Sequence, residues 1–182
     1  MEASATDPFA STPPPMVRLE IYTRDYRVSG LTASRFSRVA DIVNPLQDGY
    51  LAIEQAAFTE HAYPKLTATS PEVLIAIGEI LFVIAPEVEG AARPEMRIVK
   101  EAFLVEMALP PFRISGSIHV FQQTRPIDGL INTVERFVAI TAAEVTCAAY
   151  PWLQRSASAI AVQRSKAHLM ALPEAAQPEP DA

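Results

Sequence analysis

Two short motifs occur twice in this 182-residue chain, and that recurrence constrains its fold more than any other feature. Tyr26-Arg27-Val28-Ser29-Gly30 returns as Phe112-Arg113-Ile114-Ser115-Gly116, and Ala62-Tyr63-Pro64-Lys65-Leu66 returns as Ala149-Tyr150-Pro151-Trp152-Leu153. The offset is 86 residues for the first motif (26 to 112) and 87 for the second (62 to 149), so one inserted residue reconciles them. Solenoid and propeller units repeat at about 20 to 50 residues. A longer period marks a duplicated small domain. The alignment extends on both sides: Leu19-Glu20-Ile21 falls on Val105-Glu106-Met107, Arg38 on Arg125, Asp41 on Asp128, Ala52-Ile53 on Ala139-Ile140 and Thr59 on Thr146. The expected organisation is a disordered tail over 1–16, a first copy over 17–86, a linker over 87–102, a second copy over 103–173 and a disordered tail over 174–182. Superposed copies should place Gly30 on Gly116 and Tyr63 on Tyr150.

The net charge of −6 is carried mostly by the tails, where Glu2, Asp7, Glu174, Glu179 and Asp181 face no bases. The two copies are close to neutral, with eight acids against six bases in the first and four against six in the second. A near-neutral body gives no strong electrostatic draw toward nucleic acid or an anionic membrane. The opposite small charges of the copies, −2 and +2, favour contact between unlike copies. The N-terminus lacks the charged start and apolar run of a signal peptide. The most apolar segment, 73–85, is too short to span a bilayer and is interrupted by Gly78-Glu79. A single cysteine, Cys147, excludes an internal disulfide framework and a thiolate metal cluster and fits a reducing cytoplasm.

Strand periodicity runs through both copies. Leu19 and Ile21 alternate with Arg18 and Glu20, then Tyr26 and Val28 alternate with Arg27 and Ser29, so the inward parity switches across Thr23-Arg24-Asp25. Such a switch marks a turn or bulge. In the second copy Val105, Met107 and Leu109 give way to Phe112 and Ile114 across Pro110-Pro111, residues suited to an interruption rather than a central strand. After the glycine, a short helical turn is expected over 38–44, stopped by Pro45. Its counterpart opens with Thr124-Arg125-Pro126, a hydroxyl in capping position and a proline in the first turn. A strand follows from Tyr50 or Phe137 toward the shared Ala-Tyr-Pro. The first copy closes with a strand over 73–77, a turn at Gly78-Glu79 and a strand over 80–84. About five strands and one helical turn per copy predict a small closed or nearly closed barrel.

Gly30, Asp41, Asn44, the following apolar strand and Ile75-Ala76-Ile77-Gly78-Glu79-Ile80 resemble, in order, the two motifs of Sm-like small barrels. Both copies look like a bacterial family of uncharacterised Sm-like domains with an Arg-hydrophobic-x-Gly strand and an Asp-x-x-Asn-type turn. The implied fold is mainly β, two tandem Sm-like small β-barrels, each with a short helical turn. Two departures stand out: the helical turn interrupts what a standard Sm barrel continues as strand, and the N-terminal Sm helix has no equivalent. The resemblance also implies RNA binding through a positive residue before the glycine of the last turn. The first copy has Ile77 there, so only the second, with Asp128, Asn132 and Arg164-Ser165, keeps such a site.

Catalytic signatures are absent: the chain has no phosphate-cradling glycine loop, no His-Glu-x-x-His pair and no Gly-x-Ser-x-Gly elbow. Neither a cofactor nor a metal is expected. His61, His119 and His168 have no histidine counterparts in the other copy and read as surface or packed residues, while Cys147 reads as a small core hydrophobe. The candidate binding residues are Asp41, Asp128, Asn132, Trp152 and Arg164. Asp41 and Asp128 also suit the first turn of a short helix, the reading their position favours, and Trp152 is either an exposed contact surface or a packed ring. A cyclic-dinucleotide receptor of the PilZ type is excluded by the spacing in Asp25-Tyr26-Arg27-Val28-Ser29-Gly30. The expected function is a non-enzymatic assembly or scaffold protein whose barrels contact one another or a larger protein. RNA binding by the second copy and an enzyme with an unrecognised site are the alternatives. The run Ile80 to Ile84 is the expected contact strand, being too apolar for an exposed edge.

Overall fold

The computed structural model describes residues 13–46, 49–86, 100–131 and 134–173. The first half contains β1 (Met16–Tyr22), β2 (Tyr26–Ala33), the short helix α1 (Val39–Val43), β3 (Tyr50–Glu60), β4 (Thr67–Ala76) and β5 (Phe82–Ile84). The second contains β6 (Lys100–Leu109), β7 (Phe112–Phe121), α2 (Pro126–Ile131), β8 (Phe137–Cys147), β9 (Arg155–Gln163) and β10 (Leu169–Ala171). Among the described residues, ten strands form one antiparallel sheet in the order β10-β6-β7-β8-β9-β5-β1-β2-β3-β4. Each half is a four-strand meander whose short last strand returns beside its first. The halves meet where β5 pairs with β9.

Local chemistry explains the elements. Between β1 and β2, the Thr23 hydroxyl accepts from the backbone N–H groups of Tyr26 (3.0 Å) and Asp25 (3.4 Å), and Thr23 N–H donates to the Tyr26 carbonyl at 2.9 Å. A threonine that captures the next backbone donors is a turn former, and the parity switch read from the sequence falls on this turn. Gly30 and Gly116 are required by close approach. A Cβ on Gly30 would lie 2.5 Å from Ile53 Cγ2 and 2.6 Å from the Glu54 carbonyl; on Gly116 it would lie 2.5 Å from Ile140 Cγ2 and 2.8 Å from the Thr141 carbonyl. Opposite each glycine the register shifts, and the partner strand carries a residue at positive φ, Gln55 at 49° and Ala142 at 47°. These bulges bend the sheet at matching places.

The helices cap the meanders. Val39, Ala40, Ile42 and Val43 of α1 are buried, which a short helix achieves only by lying flat on a core. Pro126 opens α2, as the sequence predicts. Two apolar clusters result, and each borrows from the other half. Tyr22, Leu81, Phe82 and Ile84 join the core of the second half, while Phe137 and Ala161 join that of the first.

Three expectations need correction. The sheet does not close: among the described residues the outer edges of β4 and β10 have no strand partner. The physical reason is that β5, which would have to curl onto β4, gives its outer edge to β9 instead. The apolar run Ile80 to Ile84, expected as the contact strand toward another chain or partner, is instead buried within the chain, where its residues 82–84 form β5 between β1 and β9. Finally, β1 begins at Met16, inside the expected tail, and β6 at Lys100, inside the expected linker. The remainder of those segments, and the C-terminal tail from 174, lie outside the described residues.

Candidate functional site

The sheet offers one completed edge-to-edge joint and the two faces of an uncompleted one. In the completed joint, Phe82, Val83 and Ile84 of β5 sit opposite Val162, Ala161 and Ile160 of β9. Tyr22 and Phe82 stack with ring centroids 4.4 Å apart, and both meet Phe112 edge-on, at 5.9 and 5.1 Å. Such pairs add about 0.5–1.5 kcal/mol beyond the burial of the rings.

Polar groups lock the same joint. The Asn44 side chain donates to the Phe137 carbonyl at 2.9 Å and accepts from the Phe137 N–H at 2.8 Å, satisfying a backbone pair at the start of β8. The Ile77 and Ile80 carbonyls lie 2.9 and 2.6 Å from the Gln163 amide nitrogen in the orientation that satisfies both groups. Glu20 accepts a 2.8 Å hydrogen bond from the Tyr22 hydroxyl and lies 3.8 Å from Arg27 and 3.7 Å from Arg155 of the second half. Burial, reinforced by the neighbouring Glu20 carboxylate, pushes the Tyr22 phenol well above its ordinary range. It stays a neutral donor.

His61, at the end of β3, is the second anchor. It is buried, with ring centroids 5.6 Å from Phe112, 5.8 Å from Tyr150 and 6.3 Å from Trp152, and its Nε2 lies 3.2 Å from the Thr23 carbonyl. Burial lowers its pKa below the ordinary imidazole value. Nδ1 has no hydrogen-bond partner.

At the other end of the sheet, the positions that fill the joint are open. The β1–β2 turn, Val28, Phe58 and residues 73–76 of β4 line an open groove of about 430 Å³. The contrast follows the 86- and 87-residue offsets. Tyr26 is 43% exposed where Phe112 is 1%, Leu74 is 61% where Ala161 is 0%, and Leu169 is 57% where Phe82 is 0%. Strand parity predicts an inward Tyr26. It stays exposed because no ring pair covers it as Tyr22 and Phe82 cover Phe112.

The residues singled out in the sequence do not converge. Asp41 is an exposed first-turn residue of α1. Asp128 sits in α2, 3.4 Å from Arg125 one turn earlier. Asn132 lies outside the described residues. Trp152 is half-buried in a 3-10 turn over Pro151–Leu153 and packs beside His61. The Arg164 guanidinium donates to the Leu130 carbonyl at 3.2 Å and its backbone N–H to the Arg136 carbonyl at 3.0 Å. It ties the last turn to the second half's helix. Among the described residues no three His, Cys, Asp or Glu side chains form a metal-holding group, and no helix is long and apolar enough to cross a membrane. No family model, curated protein or solved structure matches the chain.

Proposed function

We propose that the chain is a non-enzymatic assembly module made of two tandem Sm-like units, residues 17–86 and 103–173, that acts by offering strand edges to protein partners. The matched glycine cradles, the matched bulges at Gln55 and Ala142 and the same order of strands within each half support the duplication. Each unit reads as a half-open barrel whose remaining gap is filled by a neighbour. The observation that carries the functional reading is the outer edge of β4, a ten-residue strand bordering an apolar groove. Long apolar edges template pairing with another chain unless blunted by charge, proline or a cover. Pro71 and Glu72 blunt the edge locally, but residues 73–76 of this edge carry no charge.

The test compares the full chain with the double variant Leu74→Lys/Leu169→Lys, by light scattering over a concentration series and by use of each as bait. Association, with itself or with a partner, should be present in the parent and lost in the double variant. A parent that stays a single chain throughout and retains no protein beyond what the variant retains overturns the reading.

A further inference from the structure

Resting on that assembly reading, we infer that the partner of the open β4 edge is a second copy of this chain, whose β10 docks head to tail in the register Leu169 opposite Ile75, Met170 opposite Leu74 and Ala171 opposite Val73. The register comes from the completed joint. An 87-residue offset carries Phe82, Val83 and Ile84 onto Leu169, Met170 and Ala171, and carries Val162, Ala161 and Ile160 onto Ile75, Leu74 and Val73. The β5–β9 pairing of one chain thus prescribes a β10–β4 pairing between two.

The backbone is poised for it. Leu81 N–H donates to the Tyr22 carbonyl at 2.8 Å, and its counterpart His168 N–H donates to the Ala108 carbonyl at the same distance, so β10 is presented as β5 is. In the completed joint Gln163 N–H donates to the Leu81 carbonyl at 2.8 Å. The corresponding bond runs from Ala76 N–H to His168 O of the second copy.

Charge selects the polarity. Glu79 and Lys166 occupy matching positions and approach to 4.0 Å across the completed joint. A head-to-tail contact again sets Lys166 of one chain beside Glu79 of the next. Contacts of β4 with β4 or of β10 with β10 do not form this pair. An exposed pair stabilises by only about 0–1 kcal/mol, so its part is orientation, while the apolar groove supplies affinity.

The contact between chains is the weaker of the two joints. Ala108 and Leu169 stand where the completed joint has Tyr22 and Phe82, Ile131 stands where it has Asn44, and Ala76 where it has Gln163. The aromatic stack and both amide locks are missing. Assemblies therefore dissociate into intact chains, and the heterologous contact builds a ring if its rotation closes and a filament if it does not.

Light scattering decides the matter with four samples: the parent, Leu74→Lys, Leu169→Lys, and an equimolar mixture of the two variants. Both substituted positions are exposed, and circular dichroism melts check that each variant stays folded. The parent should exceed the mass of one chain and grow with concentration. Each variant alone should have the mass of one chain, and the mixture that of two and no more, because it contains one intact β10 and one intact β4. In a Cys147→Ala background, Leu74→Cys with Met170→Cys should cross-link between chains on mild oxidation. If Leu169→Lys alone still forms pairs, or if both variants assemble like the parent, the head-to-tail contact is overturned while the assembly reading stands. A parent that remains a single chain at every concentration overturns the second copy as occupant, and the bait experiment then decides the assembly reading.

Discussion

Phe112 and Tyr26 hold matching places in the two halves, yet one is sealed beneath the Tyr22–Phe82 stack and the other faces solvent over an open groove. The backbone around them is the same: a hairpin, a glycine pressed against the next strand and a bulge at positive φ. What differs is whether another half supplies aromatic rings and amides at the strand edge. Burial in a small open unit is thus settled by its neighbour as much as by its own sequence, because a five-strand unit cannot cover all of its apolar surface alone.

The sharpest way to break this comparison is a charge at its centre. Phe82→Lys puts an unpaired ammonium into a fully buried site and should cost more than about 4 kcal/mol, enough to unfold the chain. Leu74→Lys on the open edge should shift single-chain stability by less than about 0.5 kcal/mol. Thermal melts of the two variants side by side provide the check, and equal losses would show that the β4 edge is covered. Next in size are Gly30→Ala and Gly116→Ala. Each added methyl meets a backbone carbonyl that cannot yield, at about 3 kcal/mol. The two costs should agree, and a clear difference in denaturant midpoints would show that the halves are not built alike.

Asn44→Ala should cost about 2 kcal/mol, since it strips both partners from a backbone pair. The loss should appear as faster hydrogen exchange at Phe137 and along the β5–β9 pairing, with β2–β3 little changed. The smallest effect is one of pH. Burial holds His61 neutral, opposed by the Thr23 carbonyl, Asp25 and Glu60 and assisted by Arg27. Its folded pKa lies below its unfolded one, so the unfolded chain takes up the proton first and stability falls as pH drops below the ordinary histidine value of 6.5. One proton limits the slope to about 1.4 kcal/mol per pH unit. Stability of His61→Gln measured from pH 7 to 5 should lack that contribution, and a profile parallel to the parent's would remove His61 from the joint's chemistry.

How much of this was legible in the sequence depends on whether the cause is local. The hairpins at Thr23 and Pro110-Pro111, the two helical turns and the strand-to-turn transition at Gly78 follow from alternation, proline and turn chemistry within a few residues. Closure does not, because it depends on whether β5 meets β4 of its own half or β9 of the other, and both partners present similar apolar runs. The same blindness hid Asn44. It was legible as part of a turn motif, but its bond to Phe137 spans 93 residues and leaves no mark in local periodicity. The sequence leaves His61 a surface or packed residue, and only the crossing of two halves shows that it packs on Phe112 and Trp152. Trp152 reads differently for the same reason: its half-burial comes from a neighbour that chain order places far away.

The joining of β5 to β9 also sets an order of events during synthesis. Phe82 leaves the ribosome before its partner Val162 exists, and 80 residues separate them. At roughly 5–20 residues per second, the first half waits on the order of 4–16 s with its most apolar strand uncovered. For that interval the nascent chain carries the kind of sticky border that the finished protein hides, and whatever shields Ile80 to Ile84 from neighbouring nascent chains governs how much of it reaches the paired state.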